Sequence, residues 1–527
     1  MKRPGMFATV VSALVLLLPR LAVSADEVPD PLLAERFACG ALKAVNPGEA
    51  VGAGVRIEET VVLPATGDQP ALCRVSGVIE PQVGFEVRLP VKGWNGKLLV
   101  TGCSNLCGIL QVQGMEDALA RGYAAATTDM GHRTGDTADA RWAWNSPALE
   151  LDFGHRATHV TTLAAKAIVA NYYGDKPGYS YFRGCSTGGR QALVAAERYP
   201  DDFDGIIAGA PFNQTLSVPQ MAWAAAANAD SRGEPILRRA DFDLLGKAAL
   251  AACDAPDGKA DGVIGDPEAC KFQPDSLLCP AVAAGAGAGK GARGACLTSA
   301  QVEAANRIYA GPSTSTGKAW SSGGAPVGSE FTWANSLLAP PGKPAYFPAI
   351  VQNWLQYLAY DPDPPLPGAG AAAGTVTVRT VDFDAGPGQF ATTDAVFGYH
   401  PRLERYHDLG GRLLIYHGWT DQSLMPAHTL DYWRELTKQM GAGKVDDFAR
   451  LFMVPGMLHC GSGPGAAEID YLTALERWVE NGEAPASLLA QKVKNPQPTS
   501  VHQPRFPLAP GTVEYSQPVY PYRSSVP

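Results

Sequence analysis

The chain has 527 residues, 46% hydrophobic and 18% charged, which excludes a disordered or polyelectrolyte protein and allows a full-sized core. Its formal net charge of -9 at pH 7 argues against nucleic acid or an anionic membrane as the expected partner. The 57 glycines and 43 prolines follow no collagen-like period and point to long loops around a compact fold, not to a helical bundle.

Residues 1–25 read as a processing signal. Lys2 and Arg3 precede an apolar run over 7–18, and Val23, Ser24 and Ala25 supply a small-x-small cleavage site before Asp26. Pro19 and Arg20 end that run too early for it to cross ~30 Å of hydrocarbon. No later segment reads as a membrane span, so the expected location is secreted or periplasmic. In such an oxidising compartment ten cysteines allow five disulfides. Structural zinc is the weaker reading: no C-x-x-C occurs, and the only short pair is Cys103 and Cys107.

The first half of the chain alternates short apolar runs with glycine turns. Residues 96–100 read as a strand opening into Thr101, Gly102, Cys103 and Ser104, and 122–127 as a second strand that stops before Asp129. A helix is predicted over 155–173, where Ala165, Ile168 and Val169 supply part of an apolar stripe. A strand over 178–182, a glycine-flanked turn, a helix over 190–198 stopped by Pro200, and a strand over 206–211 follow. Strands alternating with helices imply an α/β fold with a mostly parallel sheet covered on both faces. After Phe212 the character changes. Residues 213–390 carry alanine-rich helices, four cysteines, an acidic loop, a Gly/Ala tract (283–294) and a second low-complexity stretch (367–374). Strand character returns at 413–416 and 451–454. The expected organisation is therefore a leader (1–25) and one α/β domain in two parts (26–212 and 391–527), interrupted by an inserted lid domain (213–390).

Gly184, Cys185, Ser186, Thr187 and Gly188 fit G-x-S-x-G, with a strand before and a helix after. That context holds a serine in a strained strand-to-helix turn with its hydroxyl exposed. A nucleophilic serine needs a base, and the base an orienting acid. Asp421 follows the 413–416 strand and His459 follows the 451–454 strand, both where such a sheet gathers its site residues. His417 is the rival base, but it precedes the acid in the chain; it suits a place behind the acid or in the substrate lining. Cys185 and Cys460 each adjoin a candidate catalytic residue, so a bridge between them would tie the two loops together; the alternative is a buried Cys185 thiol. The oxyanion donors expected are the Thr187 amide and one from Gly102, Cys103 or Ser104, in a loop that a Cys103–Cys107 bridge would stiffen.

Taken together, the chain resembles the tannase and feruloyl esterase family of α/β-hydrolases, which also includes the hydrolase of mono(2-hydroxyethyl) terephthalate. The resemblance rests on Thr128-Asp129-Met130-Gly131-His132, on Asp152-Phe153-Gly154-His155-Arg156-Ala157-Thr158-His159, and on the run from Tyr181 through Gln191. Asp202-Phe203-Asp204-Gly205, His417-Gly418-Trp419-Thr420-Asp421 and His459-Cys460 complete it in family order. It implies an α/β-hydrolase with a large lid, a triad of Ser186, Asp421 and His459, and a Cys185–Cys460 bridge. The loop from Gly102 to Gly108 departs from the family's glycine-rich pattern, which leaves the second oxyanion donor open.

Residues 253–266 are dense in aspartate and glycine, and oxygen ligands on tight turns suit Ca2+. The spacing is not that of an EF-hand, and a solvated acidic turn is the plain alternative. The resemblance implies a structural Ca2+ remote from the ester chemistry, held by Asp254, Asp257 and Asp261 side chains and the Lys259 and Val263 carbonyls. With that resemblance, Cys253 and Cys270, which flank the loop, are expected to close it, leaving Cys279–Cys296 and Cys39–Cys73 as the remaining expected pairs.

The implied activity is serine carboxylic ester hydrolysis on esters of aromatic acids, feruloyl esterase-like, with gallate esters or mono(2-hydroxyethyl) terephthalate as alternatives. The implied substrate is a small aromatic ester, free or carried on a plant polysaccharide or polyphenol, and no organic cofactor is expected. A serine peptidase and a non-catalytic binding protein are the readings outside that class. Trp333, Trp354, Trp419 and His417 are the expected substrate-lining residues, although packing within the lid suits its aromatics equally well. Arg183 and Arg190 flank the serine turn and equally suit ion pairing that holds the fold.

Overall fold

The computed structural model describes residues 32–280, 296–366, 378–494 and 504–523; the leader and both low-complexity stretches fall outside the described residues. Nine strands form the main sheet: β1 (Val55–Leu63), β2 (Leu72–Ile79), β3 (Val83–Pro90), β4 (Lys97–Thr101), β5 (Ala124–Thr128), β6 (Tyr179–Cys185), β7 (Gly205–Gly209), β8 (Arg412–Gly418) and β9 (Ala449–Val454). Their order is β1-β2-β3-β5-β4-β6-β7-β8-β9. Every pair from β5 to β9 is parallel, whereas β1, β2, β3 and β5 are joined antiparallel. The sequence reading reached β4 to β9 and named none of the first three. The register of β1 on β2 shifts between Ile57 and Glu59, which breaks the alternation that would have marked it.

Both faces of the parallel part are buried, and the strand period of two divides its side chains between two cores. Leu98, Val100, Ile206, Leu413 and Ile415 face one, under Val160, Ala164 and Ile168 of the helix Ala157–Tyr173 and Leu193 and Ala196 of the helix Thr187–Arg198. Leu99, Ile207, Leu414 and Tyr416 face the other, under Leu472, Leu475 and Trp478 of the helix Tyr471–Asn481. Each such leucine or isoleucine contributes about 1.5–3 kcal/mol by leaving water. The strand ends, not the strand interiors, are therefore free for chemistry.

The helix predicted from 155 begins at Ala157, after a π-helical turn over Asp152–Arg156. Arg190 explains that turn. Fully buried, it donates to the carbonyls of Phe153 at 2.8 Å and Gly154 at 2.6 Å, with its guanidinium 4.9 Å from the Phe153 ring centre. Burial, reinforced by Arg198, pulls its pKa down to about 9. Arg183 pairs with Asp117 at 3.1 Å. Both arginines beside the serine turn thus hold the fold.

Between β7 and β8, which are paired neighbours, the chain leaves the sheet and builds an inserted helical lid. Its helices are Gln214–Ala227, Arg239–Cys253, Ser299–Ala310, Glu330–Leu337 and Tyr346–Tyr357. Disulfides Cys253–Cys270 and Cys279–Cys296 lie within it, and Cys39–Cys73 ties the helix Leu33–Ala41 to β2. Near the C-terminus, β10 (Leu488–Val493) and β11 (Val513–Val519) form a separate antiparallel ribbon. Among the described residues no helix is long and apolar enough to cross a membrane.

Candidate active site

Ser186 joins β6 to the helix Thr187–Arg198 with φ 64° and ψ -122°. Such a conformation costs a residue with a side chain about 1–3 kcal/mol and persists only where the surroundings over-determine it. Here they do: Ser186 N donates to the Gly209 carbonyl at 3.0 Å, and the Ser186 carbonyl accepts from Arg190 N and Phe212 N, each at 3.0 Å. A Cβ on Gly189 would overlap the Gly209 carbonyl, and one on Gly184 the Gly188 carbonyl. The glycines of the motif are what let strand and helix close on the turn.

Asp421 lies beyond the C-terminal end of β8, and His459 beyond that of β9. His459 Nδ1 meets Asp421 Oδ2 at 2.7 Å. The other carboxylate oxygen accepts from Ser423 N at 2.8 Å and Leu424 N at 3.0 Å. Burial is complete and opposes ionisation, yet the His459 and His417 imidazoles hold the Asp421 carboxyl well below the usual carboxylate range. Ser186 and His459 line the same cavity, and the Cys185–Cys460 disulfide joins their neighbours with Cα atoms 5.8 Å apart. Among the described residues no hydrogen bond links the Ser186 hydroxyl to the His459 imidazole; catalytic pairs often close that contact only around substrate.

The oxyanion loop narrows the donor set. Gly102 N is spent on the Arg183 carbonyl at 2.9 Å and Cys103 N on Gln191 Oε1 at 3.1 Å, so of the three amides expected in this loop only that of Ser104 is left. Ser104 N and Asn105 N carry no hydrogen bond among the described residues. Asn105 has φ 51°, the left-handed turn that lets consecutive amides converge on an anion. The loop is braced from several sides. Cys103 and Cys107 are bridged, Thr187 Oγ1 donates to the Asn105 carbonyl at 2.5 Å, and His132 Nε2 meets the Leu106 carbonyl at 2.8 Å. Burial holds His132 mostly neutral, its pKa pulled down to about 4. Thr187, first in its helix, has an amide with no carbonyl partner inside that helix.

Of the expected lining residues, Trp354 borders the cavity and the others do not. His417 is buried behind the acid: Nε2 stands 2.9 Å from the Leu424 carbonyl and 3.3 Å from Asp421 Oδ2, and Nδ1 2.8 Å from Thr429 Oγ1. Trp333 is locked into the lid core, its Nε1 donating to Ser329 Oγ at 2.8 Å beside the Tyr309 and Phe242 rings. Trp419 borders a separate groove with Pro426 and Leu430. Tyr346, Ile350 and Trp354 instead form the lid wall, four residues apart on one face of the helix Tyr346–Tyr357. That spacing was visible in the sequence; which face met the cavity was not.

In the acidic loop, Asp254 accepts from the amides of Asp261 at 3.1 Å and Gly262 at 3.0 Å, while Asp261 Oδ1 accepts from Val263 N at 3.2 Å. The Asp257 side chain lies outside the described residues. Among those described, no three Asp, Glu, His or Cys side chains converge as a metal site.

The parallel sheet with its inserted lid and the serine in its sharp turn define an α/β-hydrolase. Within that class the chain belongs to the tannase and feruloyl esterase family, whose pattern matches residues 65–525. It is 34% identical to a mono(2-hydroxyethyl) terephthalate hydrolase of Piscinibacter sakaiensis, over 87% of this chain and 85% of that protein. It is 32% identical to a probable feruloyl esterase of Arthroderma benhamiae, over 82% of this chain and 80% of that one. The crystal structure of feruloyl esterase B from Aspergillus oryzae superposes with a TM-score of 0.75 at 25% identity, covering 92% of this chain and 95% of that chain. Family and fold together make this a carboxylic ester hydrolase of the feruloyl esterase and tannase type.

Proposed function

We propose that the protein hydrolyses esters of aromatic acids through a Ser186–His459–Asp421 triad and an acyl-enzyme. The observation that carries this is the 2.7 Å contact between His459 Nδ1 and Asp421, with His459 on the wall of the cavity that Ser186 lines. Ser186 Oγ attacks the ester carbonyl while His459 takes its proton, and Asp421 stabilises the imidazolium that forms. The Thr187 and Ser104 amides hold the oxyanion. On collapse His459 returns the proton to the leaving alcohol. Water then adds to the acyl-enzyme, giving its proton to His459, which passes it to Ser186 as the acid departs. Wild-type protein is expected to hydrolyse methyl ferulate, and S186A to lose that activity with its melting temperature preserved. Turnover by S186A at the wild-type rate would contradict the scheme.

The acidic lid loop is proposed as a structural Ca2+ site, with Asp254, Asp257 and Asp261 supplying carboxylates and Lys259 and Val263 carbonyls. What supports the reading is that Asp254 folds back onto the Asp261–Gly262 turn inside a loop closed by Cys253–Cys270, which brings these carboxylates into one short segment. Chelator should lower the melting temperature and added Ca2+ restore it, whereas identical melts would exclude the site. Export is proposed from the leader and the five disulfides, with a mature N-terminus at Asp26 that intact-mass measurement of secreted protein would reveal.

A further inference from the structure

The cavity in front of Ser186 is walled by Leu106, Phe212, Val218, Met221, Ile350 and Trp354. Its polar contributors apart from the triad (Asn105, Thr187, Tyr346 and Ser423) are neutral, and among the described residues no Asp, Glu, Lys or Arg lines it. We propose that this cavity selects uncharged aromatic acyl groups and rejects acyl groups bearing a second, ionised carboxylate. The inference rests on the ester-hydrolase reading above and adds the substrate's charge to it.

Both the wall and the field behind it favour that selection. An ionised carboxylate leaving water for this lining would meet no Lys or Arg among the described residues, and an unpaired buried charge is strongly disfavoured. The nearest fixed charge in the catalytic group is Asp421, which is negative and has the same sign as the intruder. Tyr346, on the lid wall, offers only a neutral phenol. The lid side is also held in place, because Tyr346 Oη donates to Asn105 Oδ1 at 3.4 Å across the cavity. Ile350, midway along the Tyr346–Ile350–Trp354 stripe, is apolar and offers a second carboxylate no partner. Mono(2-hydroxyethyl) terephthalate, the compound in one relative's name, carries such a carboxylate on its acyl ring; ferulate esters do not.

The test compares two esters of one ring. Dimethyl terephthalate is neutral, monomethyl terephthalate is charged at pH 7, and methyl ferulate is the positive control. The neutral diester should exceed the monoester by about 100-fold or more in kcat/KM, in line with a site that leaves a polar group unpaired. In I350R that ratio should narrow at least tenfold. Methyl ferulate turnover with the two terephthalates within threefold of one another would overturn the charge selection and leave the hydrolase reading standing. No turnover of any of the three esters would bring down both.

Discussion

At the residue scale, the site is defined as much by amides already engaged as by side chains. Gly102, Cys103 and Ser104 are the loop's expected candidates for an oxyanion donor, yet the amide of the first extends the β4–β6 ladder and that of the second answers Gln191. Residue type does not reveal such commitments, because every non-proline residue carries the same N–H. Of the three, Ser104 alone keeps an amide without a partner among the described residues, and the proposed mechanism gives it the donor's role. Replacing Ser104 with Pro deletes that donor and should cut kcat by roughly 10²–10³, the usual consequence of losing one oxyanion donor. An S104P protein with wild-type kcat and an unchanged melt would move the role to Asn105. Asp421 shows the complementary case, a fully buried acid kept ionised by the imidazoles around it.

At the scale of elements, the segment that returns from the lid is fastened to the helix Thr187–Arg198 by a charged cluster. His400 Nε2 stands 3.0 Å from Asp394 Oδ2 and Nδ1 3.4 Å from Glu197 Oε1, which also takes Arg402 at 2.6 Å. Hydrogen bonds to Asp394 and then Glu197 raise the His400 pKa to about 9, against an ordinary value near 6.5. A pKa raised on folding stabilises the native state fully below the unfolded value, and the contribution disappears as pH climbs through the folded one. The cluster is partly exposed, so solvent screening limits its worth to about 1 kcal/mol. H400Q should therefore unfold more readily than wild type at pH 6 and match it at pH 10; an equal deficit at both would show that packing, not charge, is what His400 supplies.

At the scale of the whole molecule, a sheet covered on both faces made most of the architecture legible. Strands such as 413–416 must be apolar throughout, and the serine turn needs glycines wherever helix and strand touch. In the antiparallel β1–β3 edge a register shift blurs the alternation of β1, and β3 is buried almost throughout, so neither carries a period of two. Trp333 and Trp419 were expected in the pocket by residue type, but Trp333 packs inside the lid core and Trp419, after β8, faces a separate groove beside Tyr522. The meeting of the Ser186 and His459 loops, in contrast, was legible in the sequence from Cys185 and Cys460, whose Cα atoms stand 5.8 Å apart across a separation of 275 residues. That long-range closure is the central claim, and an alkyl fluorophosphonate with peptide mapping tests it most directly. Wild-type protein should gain a single adduct on Ser186, formed roughly 10³-fold more slowly in H459A. An adduct at another residue, or equal labelling rates in the two proteins, would contradict it.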